Sequence, residues 1–216
     1  TFYMAKSAGV DPATGAQLYW VYDKDENGNI TNERISSDYT KAANSKYYLG
    51  SRIPDLYGSL GTDFSWKGLD IAILTTYSIG GKIYDGLYQG SMENMYYNNA
   101  WNEHALRRWQ KPGDITDVPR LDANSTHSTN IEQSYSTRWL TNANYLNLRT
   151  VTLSYTLPKS ILSKMSIKSA RVNLSAENLF MLKARQGLNP QANYSGLSYN
   201  EYMPAKNMTI GLNVSF

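Results

Sequence analysis

Cysteine is absent from the 216 residues, which excludes a disulfide framework and any thiolate metal site. Histidine is nearly absent, with His104 and His127 the only two. Neither a Gly-x-Ser-x-Gly elbow nor a phosphate-cradling glycine pattern occurs, so little is left for catalysis. A carboxylate pair such as Asp114 and Asp117 falls in a turn-rich segment with no rigid scaffold to position it for glycoside hydrolysis. The chain reads as no enzyme. A net charge of +3 with scattered Lys and Arg is too small for dense phosphate neutralisation, which sets nucleic acid aside. Long apolar runs are missing too: the cleanest spans Ile71 to Leu74, against roughly 20 residues for a membrane helix. Only a barrel of strands could cross a bilayer. The amino-terminus lacks an initiator Met and a signal peptide, which reads as a fragment with its upstream part elsewhere.

What the chain does have is tyrosine, 18 of them beside 5 Trp and only 4 Phe. Rings with a polar tip suit places where apolar meets wet, such as a membrane interface or a sugar-binding surface. It also has alternation. Met208, Ile210, Leu212, Val214 and Phe216 fall on one strand face, and Asn207, Thr209, Gly211, Asn213 and Ser215 on the other. Phe216, Val214 and Leu212 together read as the aromatic-ended signal by which a membrane barrel is assembled. The same two-residue period predicts strands at about 55–66, 69–80, 143–157, 170–182 and 205–216. Lys67-Gly68 serves as a two-residue hairpin turn, and Pro158 to Ser169 as a short connection with one helical turn. The apolar parity flips at Leu146 and Leu148, which requires a bulge or a strand leaving the lipid slab.

Between these strands lie stretches without a strand pattern: residues 1–54 as a loop or hairpin region, about 81–137, and 186–204. Short turns alternating with long loops are the habit of outer-membrane barrels. The fold class expected is therefore all-β: a transmembrane antiparallel barrel, of which residues 55–216 supply five or so strands. Trp66, Tyr77, Tyr155 and Phe216 are expected in the interface girdles, and Glu177 on the water-facing side.

The long loops hold the candidate ligand residues. Tyr88, Tyr96, Tyr97, Trp101, Trp109 and Tyr199 offer faces on which sugar rings stack, or else form the loop's own small core. A helix over 100–109 would turn Trp101, Ala105 and Leu106 inward. Asp23, Asp25 and Asn27 have oxygen ligands at alternate positions, as a calcium loop does, but Arg34 stands where its closing acid belongs. A polar hairpin turn around Asn27-Gly28 is the stronger reading and a loose Ca²⁺ site the lesser; no other cofactor is expected.

In order along the chain come Gly50-Ser-Arg-Ile-Pro-Asp-Leu-Tyr-Gly58, Asp63-Phe-Ser-Trp-Lys-Gly-Leu-Asp70, Tyr77-Ser-Ile-Gly-Gly-Lys-Ile-Tyr84, Thr116-Asp-Val-Pro-Arg-Leu121 and Ser136-Thr-Arg-Trp-Leu140. Asn144-Tyr-Leu-Asn-Leu-Arg-Thr-Val-Thr-Leu-Ser-Tyr-Thr-Leu-Pro158, Ala176-Glu-Asn-Leu-Phe180, Gly187-Leu-Asn-Pro190 and the last strand follow. This series resembles the carboxy-terminal barrel portion of the SusC/RagA family of TonB-dependent outer-membrane transporters. It departs from the usual pattern at Asn189, where Asp is commoner, and at Asn147, where Arg is frequent. The resemblance implies a barrel of about 22 strands plugged by an amino-terminal domain. It also implies an outer-membrane location in a Gram-negative, Bacteroidetes-like cell, and import of nutrients, oligosaccharides or other glycans before peptides. Implied partners are a SusD-like surface lipoprotein, TonB–ExbB–ExbD acting through the plug, the barrel assembly machinery and outer-membrane lipid. The alternative from another class is a secreted soluble β-sandwich that binds carbohydrate or mediates adhesion.

Overall fold

The computed structural model describes residues 1–92, 101–121, 135–163, 166–191, 195–199 and 201–216. They fall into two compact units that interleave along the chain.

The unit made of residues 54–81, 143–192 and 202–216 is built on one antiparallel sheet. Its strands are β5 (Leu56–Trp66), β6 (Leu69–Ile79), β9 (Tyr145–Thr156), β10 (Ser169–Lys183) and β12 (Asn207–Ser215), in the order β12-β10-β9-β6-β5. Register lines their apolar residues up into rows that cross the whole sheet. Trp66, Leu69, Tyr155, Val172 and Leu212 form one row, and Phe64, Ile71, Leu153, Leu174 and Ile210 the next. Rows on the other face run Ser65, Asp70, Ser154, Asn173 and Gly211, then Asp63, Ala72, Thr152, Ser175 and Thr209. On the polar face Arg171 reaches across β9 to Asp70 at 2.7 Å, and Ser65 donates to the same carboxylate at 2.6 Å.

The parity flip in β9 is a bulge. Leu74 pairs with Thr150 but Thr75 with Leu148, so Arg149 is an extra residue opposite β6. At the same height the ladder to β10 slips between Glu177 and Phe180, where Asn178 has φ of 52°. Beyond the slip, Leu148 pairs with Thr75 and Phe180, and Leu146 with Tyr77 and Leu182. One apolar face therefore survives the irregularity, which is what a bulge achieves by re-aiming the side chains that follow it.

The tight turn between β5 and β6 has φ of 46° at Lys67 and 85° at Gly68, the two positive values of a type I′ hairpin. Gly68 also touches β9: its carbonyl accepts from the Thr156 amide at 2.8 Å, and a Cβ on it would lie 2.8 Å from the Thr156 oxygen. Lys159–Leu162 forms the single helical turn of the connection to β10.

The other unit, residues 1–53, 82–142 and 193–201, holds two smaller sheets. One runs β3-β2-β1-β4, from β1 (Tyr3–Val10), β2 (Gln17–Lys24), β3 (Ile30–Ser36) and β4 (Lys46–Tyr48). The other joins β11 (Leu197–Ser198), β7 (Lys82–Asp85) and β8 (Leu140–Asn142). Residues 1–54, expected to be a loop or hairpin region, carry the four strands of the first of these sheets, paired antiparallel. The alternation that marks the membrane-type strands is missing from Gln17-Leu-Tyr-Trp-Val-Tyr22 because neither face of β2 is wholly wet; Tyr19, Val21 and Tyr22 are all buried. Short helices fill the gaps: α1 (Tyr39–Asn44), capped by the Asp38 carboxylate, and α2 (Gly86–Ser91), capped by Asp85. A core of Phe2, Met4, Tyr84, Tyr88, Met92 and Trp139 holds the unit together, and Ala5, Tyr19, Val21 and Ala42 form a second one under α1.

Candidate functional site

Two surfaces can meet something outside the chain: the apolar sheet face and the aromatic loops. On the first, Leu60, Phe64, Trp66, Leu182, Met208, Ile210 and Phe216 are all more than half exposed. Among the described residues no second sheet covers them, although in water such a contiguous greasy surface would be far larger than a soluble monomer tolerates. The 11 residues of β5 extend about 34 Å, which a strand tilt of about 45° projects to roughly 24 Å, the height of an outer-membrane hydrocarbon band. Trp66 and Tyr155 share the row beside the tight turn, where a girdle belongs. Among the described residues no helix is long and apolar enough to cross a membrane, a statement that does not bear on strands.

The candidate ligand rings fare differently from one another. Tyr88 is core: its ring is 8% exposed, stands edge-on to Trp139 and bonds His104 Nδ1 through its hydroxyl at 3.1 Å. Trp109 is committed to packing. Its ring lies over Gly15, 2.5 Å from where a Cβ would be, and its Nε1 donates to the Pro12 carbonyl at 2.9 Å. The φ of 71° at Gly15 and the space that ring occupies both demand glycine. Trp101 and Tyr199 remain open, 41% and 51% exposed, and Tyr199 rests on Gly86, which has no room for a side chain. Tyr96 and Tyr97 lie outside the described residues.

The helix expected over 100–109 is shorter and turned otherwise. It is a 3₁₀ turn, Glu103–Arg107, that buries Ala105 but leaves Leu106 74% exposed and Trp101 outside it. Three residues per turn put only one of this short run against the core.

At the calcium-like hairpin the carboxylates already have partners. Both Asp23 oxygens accept from Arg34, at 2.7 and 3.2 Å, and the Arg34 fork holds that carboxyl below its ordinary range. Asp25 accepts from the Asn27 and Asn29 amides and the Asn29 side chain, which lower its pKa as well. Gly28, φ 84°, donates to the Asp25 carbonyl and completes a polar turn. Among the described residues no three of His, Asp and Glu gather as a metal group.

Other aromatic surface went unseen in the sequence because strand pairing creates it. β1 pairs with β4, so Tyr3 meets Tyr48 with ring centroids 4.7 Å apart, and both rings face solvent. Lys6 lies over Trp20 at 5.0 Å and Tyr47 at 5.3 Å, and the Tyr47 hydroxyl donates to Glu33 at 2.7 Å. Burial and that carboxylate push the Tyr47 phenol up; burial does the same to Tyr84, whose hydroxyl donates to Gln89. Both phenols therefore stay protonated near neutral pH.

No family model matches the chain. Among curated proteins it is similar to TonB-dependent receptor P3 of Formosa agariphila, 27% identical over 209 residues, which is 90% of this chain and 19% of that receptor. TonB-dependent receptor P39 of the same organism is 26% identical over 200 residues, 88% of this chain and 19% of that receptor. The chain thus spans about a fifth of the length of the curated relatives it matches. Of solved structures, the RagAB peptide transporter superposes on all of this chain and 23% of its own, with a TM-score of 0.79 and 30% identity. The RagAB peptide importer in its open-open state does so with a TM-score of 0.75 and 27% identity, over 22% of its chain. The closed barrel of such proteins is not present here; the five-stranded sheet is an open arc. Over nine-tenths of the chain the sequence is similar to TonB-dependent receptors, and over all of it the fold is similar to part of the RagAB peptide transporter, a barrel of the SusC/RagA type.

Proposed function

We propose that the chain is wall and outer-loop structure of an importer in the outer membrane of a Gram-negative, Bacteroidetes-like cell. The observation that carries this is the set of cross-sheet apolar rows, exposed on one face and backed by polar rows on the other. One face meets hydrocarbon and the other a hydrated interior. The energy for passage comes from TonB–ExbB–ExbD pulling on a plug outside this sequence, and a SusD-like surface lipoprotein closes over the ligand. The ligand is an oligosaccharide held through Trp101 and Tyr199, rings that supply apolar area at little entropic cost. The RagAB relatives are named for peptides, so peptide is the competing cargo. Leu212 and Val214 on the apolar face of β12, and the exposed Phe216 that follows the strand, are read by the barrel assembly machinery.

The test is uptake by cells expressing the full-length receptor. Fluorescent oligosaccharides should enter only with TonB present and only with the lipoprotein co-expressed, and labelled peptides should not. Entry without TonB, or recovery of the receptor in the soluble fraction, would overturn the reading. Phe216→Ala should lower the amount of receptor in the outer membrane; unchanged surface levels would remove Phe216 from the assembly signal.

A further inference from the structure

A cavity of about 410 Å³ opens on the four-stranded sheet, between the far end of β2, Arg34 of β3 and helix α1. That volume suits a small ligand or one residue of a larger one. Buried Val21 and Tyr22 lie at its base, while Asp23, Lys24, Arg34 and Lys41 bring charge to it. Its shape is fixed by Ser45, whose hydroxyl donates to the Tyr22 carbonyl at 3.2 Å and accepts from the Tyr22 amide at 3.1 Å. The end of α1 is thereby clipped to β2.

Three cations and one carboxylate line this space. Asp23 is neutralised by the Arg34 fork, so it offers little repulsion to an incoming anion. Arg34 spends three N–H donors on Asp23 and the Asn32 carbonyl, and two of its five remain. Lys41 stands 3.8 Å from Asp38, which caps α1 and is not part of the lining. Lys24 lies 5.8 Å over the Tyr22 ring and has no carboxylate partner among the described residues. The place that the hairpin sequence recommended for a cation is, on its folded side, cationic itself.

We propose that this cavity binds an anionic group, a carboxylate or sulfate carried on a ligand, through Lys24, Lys41 and the free edge of Arg34. Binding here is independent of how a ligand later crosses the membrane, so it is measured on purified receptor and fails separately from the import reading. Full-length receptor in detergent would be titrated calorimetrically at low salt with a galacturonic acid trimer and with triglutamate, each against its neutral counterpart, a galactose trimer and triglutamine. At least one acidic probe should bind and its neutral counterpart should bind much more weakly; the sugar and peptide arms show which backbone bears the anion. Lys24→Gln with Lys41→Gln should weaken the acidic probe about 25-fold, about fivefold for each charge contact at about 4 Å in water, and added salt should weaken the wild type. Asp23→Asn should tighten it, since the Arg34 charge that the carboxylate had neutralised becomes available to the ligand. Equal binding of acidic and neutral probes, failure of both acidic probes, full affinity in the double Lys variant, or weaker binding after Asp23→Asn would each overturn the proposal.

Discussion

Leu174 and Ser175 are neighbours in the middle of β10 and answer to opposite solvents. Leu174 sits in the row Phe64, Ile71, Leu153, Leu174 and Ile210, and is 45% exposed. Ser175 sits in the polar row with Thr152 and Thr209. Arg on the lipid face near the midplane costs about 2–4 kcal/mol, whereas the hydrated face tolerates it. Leu174→Arg should therefore shift the folding equilibrium by roughly 30- to 900-fold, and Ser175→Arg should leave it near wild type. Urea titration of the full-length receptor refolded into lipid vesicles, with the folded form followed by its heat-modifiable gel mobility, reads both. A soluble protein whose apolar face simply met water would gain from Leu174→Arg. Equal tolerance of the two substitutions, or greater damage from Ser175→Arg, would refute the assignment of faces.

Gly68→Ala should destabilise the receptor by about 1–3 kcal/mol from backbone strain alone, and by more from the Thr156 oxygen 2.8 Å from the new methyl, as a lowered urea midpoint. Trp109→Ala should lower the thermal stability of the loop unit because its ring covers Gly15, while Trp101→Ala should leave stability unchanged and weaken oligosaccharide binding. The Asp25 carboxyl is lower in the folded hairpin than its ordinary value of about 3.9. Its contribution is therefore fully present above that value and disappears as pH falls through the lowered folded one. Asp25→Asn should accelerate hydrogen exchange in residues 23–36 at pH 6, and the difference from wild type should vanish in strong acid.

The membrane-type strands were legible because lipid on one side and water on the other write a strict two-residue period into the sequence. Even the break at Leu146 and Leu148 could be read as a bulge, although its position at Arg149 needed the ladders on both sides. The first 54 residues were not legible for the opposite reason. β2 buries residues on both faces, so Leu18, Trp20 and Tyr22 interrupt any alternation with Tyr19 and Val21. The pairing of Tyr3 with Tyr48 joins residues far apart in sequence, which no local pattern announces. Among the candidate rings, composition could say that they were amphipathic but not which were already occupied: Trp109 by the Gly15 turn, Tyr88 by His104 and Trp139.

Arg149 sits where β9 can change length. Losing its codon would join Leu148 directly to Thr150 and let β9 run straight beside β6, with every greasy side chain still outward. Losing any codon from Val151 to Tyr155 would instead turn one end of the strand inside out, and the natural drift of this gene should show gaps at the first place and none at the second.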